Sequence, residues 1–200
     1  MHINSHFAIG MIFSSVVSYF LNLSVVEFII IVIFSFICDF DVFFSKFAKN
    51  HNHRMLITHS IIPSAIMLIP GLILNWPLLY LSGVSYAIHI VIDTFDWGTN
   101  FFFFNKKQSG SMLLISKEEL ENLSEFTSKY KTRETFFDLK YYNNKYCITI
   151  EISLFILMII FVSVFTLEYL WVSSFYFVGL YFHLSRHFYL KRLESSPSTE

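Results

Sequence analysis

The 200-residue chain is short of charge: Asp, Glu, Lys and Arg make up 14% of it, against about 25% in an ordinary soluble domain. Its net charge is −1, so it has no basic excess with which to bind polyanions, and no nucleic-acid partner is expected. It has only two cysteines, Cys38 and Cys147. They cannot build a disulfide framework, and they lack the C-x-x-C spacing of a thiolate metal site. The first ten residues contain no Lys or Arg and no small-residue cleavage pattern, so the N-terminus is expected to be mature chain and not a removable signal peptide. What is there instead is grease: 54% hydrophobic residues, 20% aromatic, 25 Phe. A water-soluble fold of this length has too little interior to hide them. The composition excludes a disordered or collagen-like chain and points to a protein whose main partner is the lipid bilayer.

Six apolar runs stand out, roughly 7–21, 25–38, 56–74, 78–92, 147–167 and 169–184. A full span takes about 20 residues, so the first, second and fourth are short. Asn22-Leu23-Ser24 and Asn75-Trp76-Pro77 read as tight turns joining antiparallel neighbours, while Pro63 and Pro70-Gly71 should kink or end the third run. The expected fold is an all-α, polytopic membrane bundle of about six apolar helices. Six crossings would place all 14 Lys and Arg in segments 39–55, 93–146 and the tail, on the side shared with the N-terminus. The positive-inside rule makes that side, and both termini, cytoplasmic at the inner (plasma) membrane. The only long polar stretch is 106–146, where Ser116 and Glu119 form a capping box ahead of an expected surface helix over 117–131. Phe101 to Phe104, followed by Lys106 and Lys107, suit an anchor at headgroup level. The chain thus divides into a membrane core over 1–105, a cytoplasmic insertion over 106–146 and a C-terminal hairpin and tail over 147–200.

Against this background, His and Asp recur at the ends of apolar runs. His6 opens the first, Asp39 and Asp41 close the second, His53 and His59 flank the start of the third, and His89 and Asp93 end the fourth. The alternating topology gathers those ends on one side. His89 and Asp93, at i and i+4, lie on one helical face about 6 Å apart. Ionisable groups at a membrane edge are costly and are usually functional. Imidazoles mixed with carboxylates suit Zn²⁺, Mn²⁺ or Fe²⁺ better than Mg²⁺ or Ca²⁺. By contrast, His2 and His51 read as interfacial residues, as do His183 and His187 around Arg186.

The string Asn52-His53-Arg54-Met55-Leu56-Ile57-Thr58-His59-Ser60 resembles the His-Arg-Gly…Thr-His-Ser signature of the YdjM-like family of inner-membrane metal-dependent hydrolases. Ser5-His6…Gly10, Cys38-Asp39-Phe40-Asp41 and His89-Ile90-Val91-Ile92-Asp93…Trp97-Gly98 match further blocks of that family in order, over residues 1–105. Cys38 stands where the family often has Pro, and Met55-Leu56 where it has Gly. The family is similar in ligand order to the soluble zinc phospholipase C and single-strand nuclease group. That resemblance implies one to three divalent ions, zinc foremost, at one membrane face. It makes His6, Asp39, His59, His89 and Asp93 the ligands, with Asp93 bridging, and leaves His183 and His187 as the only candidates for a third site. The implied activity is hydrolysis of a phosphate ester in a lipid or lipid-linked substrate. Asp41 or His53 would orient a ligand or act as base, and Arg54 would pair with a substrate phosphate. A metal-ion or proton transporter using the same His/Asp set, and a non-catalytic membrane scaffold, are the rival classes. Transporter sites usually lie at the midplane among internal repeats, whereas these residues sit at run ends.

Overall fold

The computed structural model describes residues 2–48, 51–104 and 107–196. Lys49 and Lys106, two of the basic residues used to orient the chain, lie outside the described residues. The chain forms nine α-helices among those residues: α1 (Ile3–Leu21), α2 (Val25–Phe34), α3 (Ile61–Ile73), α4 (Pro77–Asp96), α5 (Lys117–Glu121), α6 (Leu123–Ser128), α7 (Arg133–Tyr142), α8 (Lys145–Phe165) and α9 (Ser174–Ser195). Short 3₁₀ segments cover Ile37–Phe47, His53–Met55, Ile57–His59 and Leu167–Ser173. The only β-type pairing described is an isolated bridge between Thr99 and Ser109.

Three helices, α1, α4 and α8, are long and apolar enough to cross a membrane. The remaining apolar runs are broken up by their own chemistry. The run 25–38 is helical for only ten residues, Val25–Phe34, about 15 Å at 1.5 Å per residue. A capping box between Ser24 and Glu27 starts it, and the chain tightens into the 3₁₀ segment 37–47 beyond it. The run 56–74 begins with tight turns and becomes helical only after Ser60 caps Ile62. Pro63 falls in the first turn of α3, where the missing N–H is not needed. Pro70 lies inside the helix, which stops at Ile73. In α9 the second half carries Arg186, Lys191, Arg192 and Glu194, so only its first half matches an apolar environment. Asn22 and Asn75 adopt left-handed conformations (φ 48° and 49°) and close the α1–α2 and α3–α4 hairpins as helix C-caps commonly do.

The hairpins pack through small and hydroxylated residues. Gly10 of α1 faces Ser35 so closely that a Cβ there would stand 2.1 Å from the Ser35 hydroxyl oxygen, which donates to the His6 carbonyl at 2.9 Å. Ser64 of α3 donates to the Gly83 carbonyl of α4 at 2.7 Å, and Ser85 of α4 donates to Ile31 of α2 at 2.8 Å. Such contacts let helices approach where burial of apolar surface provides little drive in lipid. Phe7, Ala8 and Met11 of α1 form a buried core with Phe28 and Val32 of α2, Met158 and Val162 of α8, and Val172 and Tyr176. The outward side of α8, with Ile152, Ile156, Ile160 and Val164, is exposed. The expected capping box at Ser116 and Glu119 is present, but the surface helix is split into α5 and α6 at Asn122. The ends of α1 and α4 that carry His6, His89 and Asp93 meet under the turns at 53–59, which are pinned from outside by Asn100 N–H donating to the Arg54 carbonyl at 3.1 Å and Thr99 Oγ1 donating to the His59 carbonyl at 2.6 Å.

Candidate metal centre

Residues from five stretches of chain converge at that end. α1 contributes His6, the 3₁₀ segment 37–47 contributes Asp39 and Asp41, the two short turns contribute His53, Arg54 and His59, and α4 contributes His89 and Asp93. His6, His59, His89 and Asp93 are all at most 1% exposed. His6, Asp39, His89 and Asp93 form one group whose potential ligand atoms all lie within 4.8 Å of one another, and Asp39, His53 and His59 form another. Asp39 belongs to both. Cys38 joins a third such group with His59 and His89, and burial pushes its thiol up to about 11.

The distances around Asp93 are those of ligands around a shared centre. His6 Nε2 is 3.2 Å from Asp93 Oδ1; His59 and His89 Nε2 are 3.3 Å and 3.5 Å from Asp93 Oδ2. Asp39 Oδ1 is 3.7 Å from His59 Nε2 and 3.6 Å from His89 Nε2. Metal–nitrogen and metal–oxygen bonds of about 2.0–2.1 Å in a tetrahedral shell put neighbouring ligand atoms about 3.3 Å apart. The three Nε2 atoms are buried and make no well-directed hydrogen bond, an expensive arrangement for polar atoms out of water.

Two of the three inward-facing nitrogens, those of His59 and His89, are set by a bond at the other end of the ring, whereas His6 Nδ1 makes no hydrogen bond among the described residues. His59 Nδ1 lies 2.7 Å from Asp41 Oδ2, and the same carboxylate oxygen accepts from the Thr58 hydroxyl. His89 Nδ1 lies 2.7 Å from the Ser35 carbonyl, which as an acceptor requires the proton on Nδ1 and leaves the Nε2 lone pair for the centre. The rings of His6 and His89 stack with centroids 3.8 Å apart. Arg54, expected to face a substrate phosphate, is instead buried. Its guanidinium reaches Asp93 Oδ2 and Asp96 Oδ1, both at 3.0 Å, because those carboxylates need a counter-charge away from water.

Asp39, Asp41, Asp93 and Asp96 crowd around the Arg54 guanidinium and the His59 imidazole, which face them as counter-charges. Burial on its own would lift the Asp39 carboxyl, but His89, His59 and His6 hold it below the ordinary carboxylate range. Burial would lower the His59 imidazole, and the Asp39, Asp41 and Asp93 carboxylates outweigh it, raising it to about 10. Burial, helped by the His59 charge, lowers His53 to about 4, so His53 is neutral and ready to ligate at physiological pH.

All eight residues singled out from the sequence are thus within this one cluster. His53 stands with the potential ligands, Asp41 behind His59, and Arg54 behind Asp93. Asp96 was missed, although its place three residues after Asp93, on the same helix face, was a usable sign. The Ser35 carbonyl left no sign, since any residue supplies one. His2 and His183 are not simple interfacial residues: their rings lie 3.6 Å apart, and His2 also packs 3.8 Å from Tyr141. His187 pairs with Asp138 at 2.6 Å. Among the described residues, neither His183 nor His187 belongs to a metal-ligating group.

The sequence profile of a family described as YdjM inner membrane protein matches residues 1–171. That is a longer stretch than the motifs alone cover, and it includes α8. Comparison with curated proteins found no match, and neither did comparison with solved structures.

Proposed function

Since the chain belongs to the YdjM inner membrane protein family, we propose that it is a multi-pass inner-membrane hydrolase that cleaves a phosphate ester in a lipid or lipid-linked substrate with the help of divalent metal, zinc first and manganese or iron as alternatives. The observation that carries this reading is the set of buried, undirected Nε2 atoms of His6, His59 and His89 facing the Asp39 and Asp93 carboxylates. Buried carboxylates are held only with positive charge beside them, which a divalent ion would supply in place of the imidazole protons, and imidazole with carboxylate is the donor set of transition-metal hydrolases. His6, Asp39, His89 and Asp93 would hold one ion. Asp39, His53 and His59 would hold a second, Asp39 being common to both groups.

A divalent ion at such a centre supplies Lewis acidity, a water acidic enough to attack at neutral pH, and a clamp for phosphoryl oxygens. The protein's own groups do the rest. Asp41 and the Ser35 carbonyl aim the rings of His59 and His89. Arg54 holds Asp93 in place and is itself anchored by Asp96. His6, His59, His89 and Asp93 are sealed from solvent, while the Asp39 side chain keeps 18% of its surface open, so substrate approaches on the Asp39 side. The distribution of basic residues supports a site and termini on the cytoplasmic side.

Metal analysis of detergent-purified protein tests the reading, run beside a His89→Ala/Asp93→Ala double variant. Bound metal in the wild type and little in the variant is expected, followed by release of phosphate or headgroup from a panel of phospholipids. Equally low metal in both proteins would overturn the hydrolase assignment.

A further inference from the structure

The 3₁₀ segment Ile37–Phe47 carries two chemistries. With three residues per turn, Cys38 and Asp41 fall in line and are buried toward His59, whereas Ile37, Phe40 and Phe43 fall in line on the outside; beyond Asp41 the first line also turns outward, at Phe44 and Phe47. Phe40 is 49% exposed, Phe43 75%, Phe44 59% and Phe47 72%. Asp39, the carboxylate common to both ligand groups, lies at the boundary between the edges. The outer edge ends in a cation: the Lys46 ammonium sits 4.9 Å from the centroid of the Phe47 ring, the arrangement of a lysine reaching toward headgroups over buried aromatics.

We propose that this aromatic edge is seated in the bilayer leaflet beside the metal centre, and that a phosphate-bearing lipid slides sideways across it to Asp39, its phosphate at the ions and its acyl chains left among the phenylalanines. The proposal rests on the hydrolase reading for what happens to that lipid, but not for the seating of the segment. Four exposed phenylalanines on an 11-residue segment are costly in water and usual for an element lying in the plane of an interface. The occupant is lipid and not a protein partner because the chain belongs to an inner-membrane family and the aromatic edge ends in a lysine placed to reach headgroups. Val91 and Phe95 of α4, each two residues from Asp93, are likewise uncovered.

Quenching in vesicles tests the seating. Cys38 and Cys147 are both buried, so a thiol-reactive bimane placed at Phe43→Cys reports on that position, with Ser128→Cys on exposed α6 as reference. In phosphatidylcholine/phosphatidylglycerol vesicles with brominated acyl chains, the label at 43 should be quenched several-fold more than the label at 128, and aqueous iodide should give the reverse order. Iodide quenching at 43 equal to that at 128 would overturn the seating. For the sideways path, a Phe40→Ser/Phe43→Ser variant should keep its metal and its rate on soluble bis(p-nitrophenyl) phosphate while losing at least tenfold on vesicle phospholipid. Equal rates of both proteins on vesicle lipid would overturn it, and so would equal losses on both substrates. A metal-loaded wild type that cleaves neither ester sinks the hydrolase reading and the path together, while the bimane result still decides whether the segment lies in the leaflet.

Discussion

Asp41 is the residue whose substitution separates orienting from ligating. It contacts His59 at Nδ1, the nitrogen turned away from the centre, so Asp41→Asn preserves shape and removes the charge that fixes the ring. Loss of such a supporting carboxylate lowers metal affinity about 10- to 100-fold; competition with a chelator should show this shift with the helical content unchanged. His59 sets the pH response. Its imidazole, raised to about 10, is protonated at neutral pH in the ion-free protein, and metal must displace that proton. Apparent zinc affinity should therefore rise with pH through the neutral range, by about tenfold per pH unit for each proton displaced, as read from zinc titrations at several pH values. A pH-independent affinity would contradict the charge state assigned to His59. Arg54→Met leaves Asp93 and Asp96 buried without their cation, at a cost of about 3–5 kcal/mol, measurable as a lowered denaturation midpoint in detergent. Residue types at run ends were enough to pick out the cluster from the sequence. Arg54's inward direction was not legible, because a guanidinium next to a proposed phosphate site and one paired to buried aspartates look alike until Asp96 is placed.

Helix pairs explain how far apart in sequence the centre can be damaged. Gly10 touches no ligand, yet the Ser35 hydroxyl that fills the space above it holds the His6 carbonyl, and the Ser35 carbonyl holds His89. Gly10→Val should force α1 and α2 apart, with an overpacking cost of about 1–3 kcal/mol and a fall in bound metal of the same direction as a ligand variant. Thermal unfolding and metal content measured on one preparation check both. Normal metal content in a destabilised Gly10→Val protein would show that the α1–α2 contact does not position the centre. The number of apolar runs was readable from the sequence, whereas their conformations were not. Hydrophobicity marks 25–38 and 56–74 as single runs, but nothing in hydrophobicity alone distinguishes ten helical residues followed by a 3₁₀ segment from a longer helix. The caps at Ser24 and Ser60 carry that information locally, and they mark starts better than stops.

At the scale of the whole molecule, helix geometry and charge share one asymmetry. The turns at 22–24 and 74–76 and the segment 166–173 contain no Lys or Arg; Tyr169 donates to the Leu23 carbonyl at 2.6 Å, and Leu78 and Tyr80, just after the second turn, pack against the cluster that contains Leu23. At the other end, α7 and the charged half of α9 are held to each other by His187 and Asp138, and Lys131 N–H donates to Glu194 at 3.2 Å. Basic residues are retained on the cytoplasmic side of a membrane, so the bundle should insert with its metal-centre end inward. Reporter fusions after residues 120 and 195 should then read as cytoplasmic, and one after Asn75 as external. Because the bias comes from Lys and Arg near the helix ends, adding lysines to the 74–76 turn should weaken that pattern, while adding aspartates there should leave it nearly unchanged. An external signal from the 120 fusion would place α5 to α7 across the membrane from the sequence-expected side, and would remove the electrostatic basis for a cytoplasmic centre without touching its ligand geometry.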